Sequence, residues 1–115
     1  MFFNSGVKYA PRVIPAQSIV SNACYEMFSN CRSLSNVPVF NNIQATYDHA
    51  CYNMFSYCIM LIDVSNIFNN NNFSLMGPYT LSGMFYGCIS LITGPTNFIP
   101  GGTKFTYKGT LSRMF

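Results

Sequence analysis

A short motif recurs along this chain, and the recurrence constrains the fold more than any single residue does. Cys24-Tyr25-Glu26-Met27-Phe28-Ser29-Asn30-Cys31-Arg32-Ser33-Leu34 returns as Cys51-Tyr52-Asn53-Met54-Phe55-Ser56-Tyr57-Cys58-Ile59-Met60-Leu61. It returns again as Leu81-Ser82-Gly83-Met84-Phe85-Tyr86-Gly87-Cys88-Ile89-Ser90-Leu91, and a last copy opens at Leu111-Ser112-Arg113-Met114-Phe115. The Met-Phe pairs beginning at Met27, Met54, Met84 and Met114 are 27, 30 and 30 residues apart. A partial first copy fits as well, since Val7-Lys8-Tyr9-Ala10-Pro11 aligns with Leu34 to Pro38 and with Leu91 to Pro95. Units this short cannot bury their own apolar face, so they must stack and share one core.

Within each copy the apolar residues fall at helical spacing. Cys24, Met27, Phe28 and Cys31 stand at i, i+3, i+4 and i+7, as do Cys51, Met54, Phe55 and Cys58, and Leu81, Met84, Phe85 and Cys88. Ser21 or Asn22, Asp48, Thr80 and Thr110 are placed to cap such helices, and Asn30 and Gly87 to end them. Short strands are expected at 7–14, 34–40, 61–68 and 91–98, interrupted where Pro38 and Pro95 remove a backbone donor. The additional residues of the later copies fall near Asn69 to Asn72 and Pro100 to Gly102, in the connecting loops. The expected fold is an α/β repeat: a short leucine-rich-repeat-like solenoid of about four rungs, with a short helix and a short parallel strand per repeat. It forms one domain over residues 1–115.

The unit Met-Phe-x-x-Cys-x-x-Leu-x-x-x-Pro, best seen in Met27 to Pro38, resembles the BspA-like leucine-rich repeats of bacterial surface proteins and of phages that infect gut bacteria. The resemblance covers nearly the whole chain. It implies a right-handed leucine-rich-repeat-like solenoid with strands on one side and short helices on the other, and adhesion or binding rather than catalysis. A virion or a cell surface is the setting it implies.

Composition excludes several classes. Hydrophobic residues make up 50% of the chain and aromatics 17%, which is incompatible with intrinsic disorder. Charged residues make up 8%, against about 25% in ordinary globular domains. Three acids and one His leave little for acid–base catalysis, and no enzymatic activity and no cofactor are expected. The longest apolar run, Tyr57 to Ile62, is far below the ~20 residues of a membrane span, and no secretory signal is visible at the N-terminus.

The reactive residue types have bland readings. Cys31, Cys58 and Cys88 form one column of the repeat, and Cys24 and Cys51 share theirs with Leu81 and Leu111, so all five read as small buried hydrophobes. A disulfide between neighbouring copies is the alternative; zinc would need four close ligands, and no Cys-x-x-Cys is present. Asp48-His49 precedes Cys51, but residues two apart on a helix do not face each other, so His49 reads as a surface residue.

What remains are surfaces. Tyr25, Tyr52, Tyr57 and Tyr86 are the candidates for recognition, with half-buried packing as the alternative. Lys104, Lys108 and Arg113 give the last third of the chain a basic character that reads first as a solvated face. An acidic partner is the alternative, and nucleic acid is not favoured. Phe2, Phe3, Met114 and Phe115 lie within copies that carry no polar cap, and they are expected to contact a partner. The protein is therefore expected to be a non-enzymatic structural or adhesive component of a larger assembly, with protein partners or further copies of itself. The alternative is a soluble module recognising a protein or a glycan.

Overall fold

A computed structural model describes residues 2–15, 18–41, 43–68, 75–95, 104–105 and 114–115. Repeat spacing becomes strand register. β1 (Val13–Pro15) pairs in parallel with β3 (Val39–Asn41), Val13 opposite Val39 and Ile14 opposite Phe40. The second sheet is also parallel, in the order β2 (Ser18–Ile19), β4 (Ala45–Thr46), β5 (Leu75–Met76) and β6 (Lys104–Phe105). Its register places Ser18, Ala45, Leu75 and Lys104 side by side, followed by Ile19, Thr46, Met76 and Phe105. Each partner is one repeat further along the chain.

The expected α/β leucine-rich-repeat-like solenoid, with a helix and a strand in every repeat, is not formed. No helix occurs among the described residues, and regular structure there is limited to these six strands of two or three residues in two small parallel sheets. The molecule is a compact body of 36 × 23 × 22 Å. The expected strands are reached only in part. Val13–Ile14 and Val39–Phe40 lie in strands, while Asp63 and Thr93 make an isolated parallel bridge. The four-stranded sheet instead occupies segments read as connections. The insertions at 69–72 and 100–102, and the last residues of the 91–98 strand, lie outside the described residues.

The segments expected to be helices are runs of turns, at 21–30, 48–57 and 78–87. Their backbone divides its donors between two destinations. The N–H groups of Ala23, Tyr25, Met27, Ser29 and Cys31 donate to carbonyls three residues back. Those of Asn22, Cys24, Glu26, Phe28 and Asn30 donate to Asp48, Ala50, Tyr52, Met54 and Ser56 of the next copy, at 2.7–3.1 Å. The second copy repeats the arrangement toward the third, from His49, Cys51, Asn53, Phe55 and Tyr57 to Pro78, Thr80, Ser82, Met84 and Tyr86.

Every fourth residue of these runs has a positive φ: Asn22, Glu26 and Asn30; His49, Asn53 and Tyr57; Tyr79, Gly83 and Gly87. A right-handed helix cannot pass through such positions, whereas turns with a positive φ at their third residue require them. Asn30 and Gly87, read as helix ends, do take that conformation, but as recurring turn residues. Two of the cap candidates have other partners, and Thr110 lies outside the described residues. Asp48 pairs with the His49 ring and the Thr80 hydroxyl donates to the Tyr47 carbonyl.

A four-residue period buries the same stripe a helix would have buried. Cys24, Phe28, Cys31, Cys51, Met54, Phe55, Cys58, Leu81, Met84 and Phe85 are all in the core. Phe2, Phe28, Phe55, Phe85 and Phe115 stack in one column, centroids 5.1, 5.4, 5.7 and 6.0 Å apart and planes within 17° of parallel. Each such pair contributes about 0.5–1.5 kcal/mol beyond its buried area.

Two substitutions test this packing. A Cβ at Gly77 would lie 2.7 Å from the Tyr47 carbonyl carbon and 2.9 Å from the Asp48 nitrogen, so Gly77→Ala must push two copies apart. We expect it to lower unfolding stability by about 1–3 kcal/mol in urea denaturation. The Thr46 hydroxyl is buried without a hydrogen-bond partner among the described residues. Thr46→Val should therefore leave stability unchanged or raise it by up to about 1 kcal/mol.

Candidate functional site

The cysteines are part of the scaffold. All five are free thiols. The Cys31, Cys58 and Cys88 thiols donate to the carbonyls of Phe2, Phe28 and Phe55 in the preceding copy, at 2.8, 3.1 and 3.1 Å. Burial pushes the Cys58 thiol up to about 12 and that of Cys88 to about 11. Both are neutral at physiological pH and poor nucleophiles. Cys51 is fully buried, and its hydrogen bond to the Cys24 thiol, reinforced by burial, holds its pKa well above that of a free thiol. His49 is turned away from this pair. Its Nδ1 meets Asp48, and its ring stacks on Tyr79 at 5.1 Å and tilts against Tyr52 at 5.2 Å. Among the described residues no three His, Cys, Asp or Glu side chains gather as metal ligands. No helix there is long and apolar enough to cross a membrane.

The tyrosines are brought together. Tyr25 stacks on Tyr52 at 5.2 Å with planes 12° apart, and Tyr57 meets Tyr86 edge-on at 5.5 Å. Tyr52, Tyr57 and Tyr86 surround a groove of about 300 Å³, completed by Asn53, Ser56, Ser82 and Gly83. The ring of Tyr57 lies on Gly87, where a Cβ would come within 2.5 Å of it. Asn53, Ser56 and Tyr57 also line an adjoining cavity of about 460 Å³ that reaches Phe3, Glu26, Asn30 and Arg32. The Ser56 hydroxyl itself is held by Ser29 at 2.8 Å.

A second surface is apolar. Ile89 and Ile92 are 82% and 83% exposed and Phe115 is 60% exposed. Phe115, Leu91 and Ile89 frame a shallow depression with Phe85 and Cys88, and the Phe115 ring also rests 3.6 Å from the position of a Cβ on Gly94. Ile92 donates its N–H to the Ile62 carbonyl at 2.8 Å, which joins the equivalent exposed residues of two copies. The first copy carries Arg32 and Ser35 where the third carries Ile89 and Ile92. Apolar exposure therefore grows from the first copy to the third.

Of the residues expected to contact partners, Phe3 is exposed, Phe2 is half-buried on Phe28, and Met114 is buried. The backbone of Lys104 lies in β6, while Lys108 and Arg113 lie outside the described residues. Ile89 and Ile92 were not singled out by sequence reasoning. The column Ser35, Ile62, Ile92, polar in one copy and apolar in the next two, is the signal that marks them. No family model matches the chain, and no curated protein or solved structure matches it either.

The thiol assignment predicts a pH dependence. The folded values of about 11 and 12 exceed the ordinary value of 9.0, so the folded state keeps its thiol protons longer. The resulting stabilisation is complete below pH 9 and is lost as pH rises through 11 and 12. The urea midpoint should be flat near neutrality and fall above pH 9, with a shallower fall in Cys58→Ala. At neutral pH an aromatic disulfide reagent should spare Cys58 until denaturant is added.

Proposed function

We propose that this chain is a non-enzymatic structural or adhesive module that works as part of a larger protein assembly. The carrying observation is the exposed apolar surface of Ile62, Ile89, Ile92 and Phe115. Isolated exposed apolar residues are ordinary, whereas adjoining ones mark interaction surfaces. Few charges are available to keep such a surface apart from a neighbour, since the whole chain holds six basic and three acidic residues. A second copy of the chain is the first candidate to cover it. The virion or cell-surface setting implied by the repeat resemblance belongs to this proposal and is argued from that resemblance alone.

Ile89→Lys with Ile92→Lys tests it, because both side chains are almost fully in solvent and their replacement should change stability by less than about 0.5 kcal/mol. The wild-type chain should sediment as an oligomer at micromolar concentration, and the double variant should shift toward monomer while still unfolding cooperatively, its melting temperature no longer rising with protein concentration. A monodisperse wild-type monomer would count against assembly through this surface.

A further inference from the structure

We propose that the groove between Tyr52 and Tyr86 binds a neutral sugar ring, a pyranose unit of a glycan. This goes beyond the assembly reading, which uses other side chains. The groove owes its shape to departures of the third copy from the first two. Tyr25 and Tyr52 stack as equivalent residues of copies one and two, and the third position of that column is Ser82. Glu26 and Asn53 are followed by Gly83, and Ser29 and Ser56 by Tyr86. The tyrosine stack thus stops one ring short, and a cavity of about 300 Å³ stands beside Tyr52, Ser82 and Gly83. Tyr86 supplies a further aromatic wall.

The lining specifies the chemistry. It joins aromatic rings to an amide and hydroxyls, and among the described residues no charged side chain lines the groove. A phosphate or carboxylate would lose its hydration there without a counter-charge. A pyranose matches both halves of the lining: its C–H face packs against a tyrosine ring, and its hydroxyls exchange hydrogen bonds with the Asn53 amide and the Ser82 hydroxyl. The volume is at the small end of ligand pockets, which run from about 300 to 1,000 Å³, and suits one ring rather than an extended peptide. Preorganisation favours binding. Tyr57 is seated on Gly87 and braced edge-on by Tyr86, so these walls are in place before a ligand arrives.

Saturation-transfer NMR on the intact chain, with the methyl glycosides of glucose, galactose, mannose and N-acetylglucosamine as probes, tests the site. At least one should receive saturation at its ring C–H protons, with a dissociation constant on the order of millimolar, as expected for one small ring. Gly83→Asn places in the third copy the side chain that copy two carries at the equivalent Asn53, and Asn tolerates a positive φ. Tyr86→Ser likewise restores the residue of Ser29 and Ser56. Tyr86 is exposed and its replacement should lower the melting temperature only slightly, so this variant carries the test should the buried Gly83 position not accept Asn. Each folded variant should weaken sugar binding by at least about tenfold. The paired lysine variant at Ile89 and Ile92 should bind sugar as the wild type does, which separates this site from assembly. Three results would overturn the proposal: no transfer to any glycoside, transfer that survives both groove variants, or tighter binding of N-acetyltyrosinamide than of every glycoside.

Discussion

The division of backbone donors in the turn runs is the constraint on which the rest of this structure depends. A helix satisfies its N–H groups within itself, apart from the first turn. Here only every second group does so, and the others reach a carbonyl of the following copy. A buried donor without an acceptor is costly, so a copy is incomplete without its neighbour. The same bonds fix the separation between copies near the ordinary strand spacing of about 4.8 Å. That separation carries the phenylalanine rings into a column with centroids 5.1 to 6.0 Å apart. It also requires the absence of a side chain at Gly77, where the backbones of adjacent copies approach closely.

The cysteine column follows from the same geometry. The carbonyl of Phe28 accepts the Cys31 N–H three residues on and the Cys58 thiol from the next copy. The carbonyl of Phe55 is shared in the same way by the Cys58 N–H and the Cys88 thiol. Both lone pairs of a core carbonyl are thereby used. Cysteine suits the position because it is small enough for close-packed copies, apolar enough for burial, and still carries a weak donor. Chemical reactivity is suppressed by the burial that makes the residue useful there.

The buried columns were legible from the repeat, and the secondary structure was not. A stripe at i, i+4 and i+7 is buried by a helix of 3.6 residues per turn and also by a chain that turns every four residues. Cys24, Phe28 and Cys31 cannot distinguish the two. The discriminating signal lay on the polar face: Asn22 and Asn30, Asn53, and Gly83 and Gly87 occupy positions whose φ is positive, and Asn and Gly are the residues that accept it. Glu26, His49, Tyr57 and Tyr79 adopt the same conformation without that preference, which obscured the period. Tertiary stacking overrode local propensity at those four. Among the candidate sites, Tyr52, Tyr57 and Tyr86 were marked by residue type but fall in three different columns of the repeat, so their meeting around one groove was not legible. The exposed Ile89 and Ile92 required knowing which side of each copy faces solvent.

Buried and exposed columns therefore carry different information. The columns that stack, Phe28 with Phe55 and Phe85 and Cys31 with Cys58 and Cys88, hold one residue type because every copy must fit the next. The exposed columns are released from that requirement and change from copy to copy. Tyr25 and Tyr52 give way to Ser82, which opens the groove, and Arg32 gives way to Ile59 and Ile89, which extends the apolar surface. Such changes alter the surface without disturbing the ladder, since the backbone bonds of Ser82 and Tyr86 to the second copy are the same as those Tyr52 and Ser56 make to the first. A scaffold whose order resides in backbone bonds and apolar inner columns leaves its outer columns free to specialise. Both the groove and the apolar surface arise where the third copy uses that freedom.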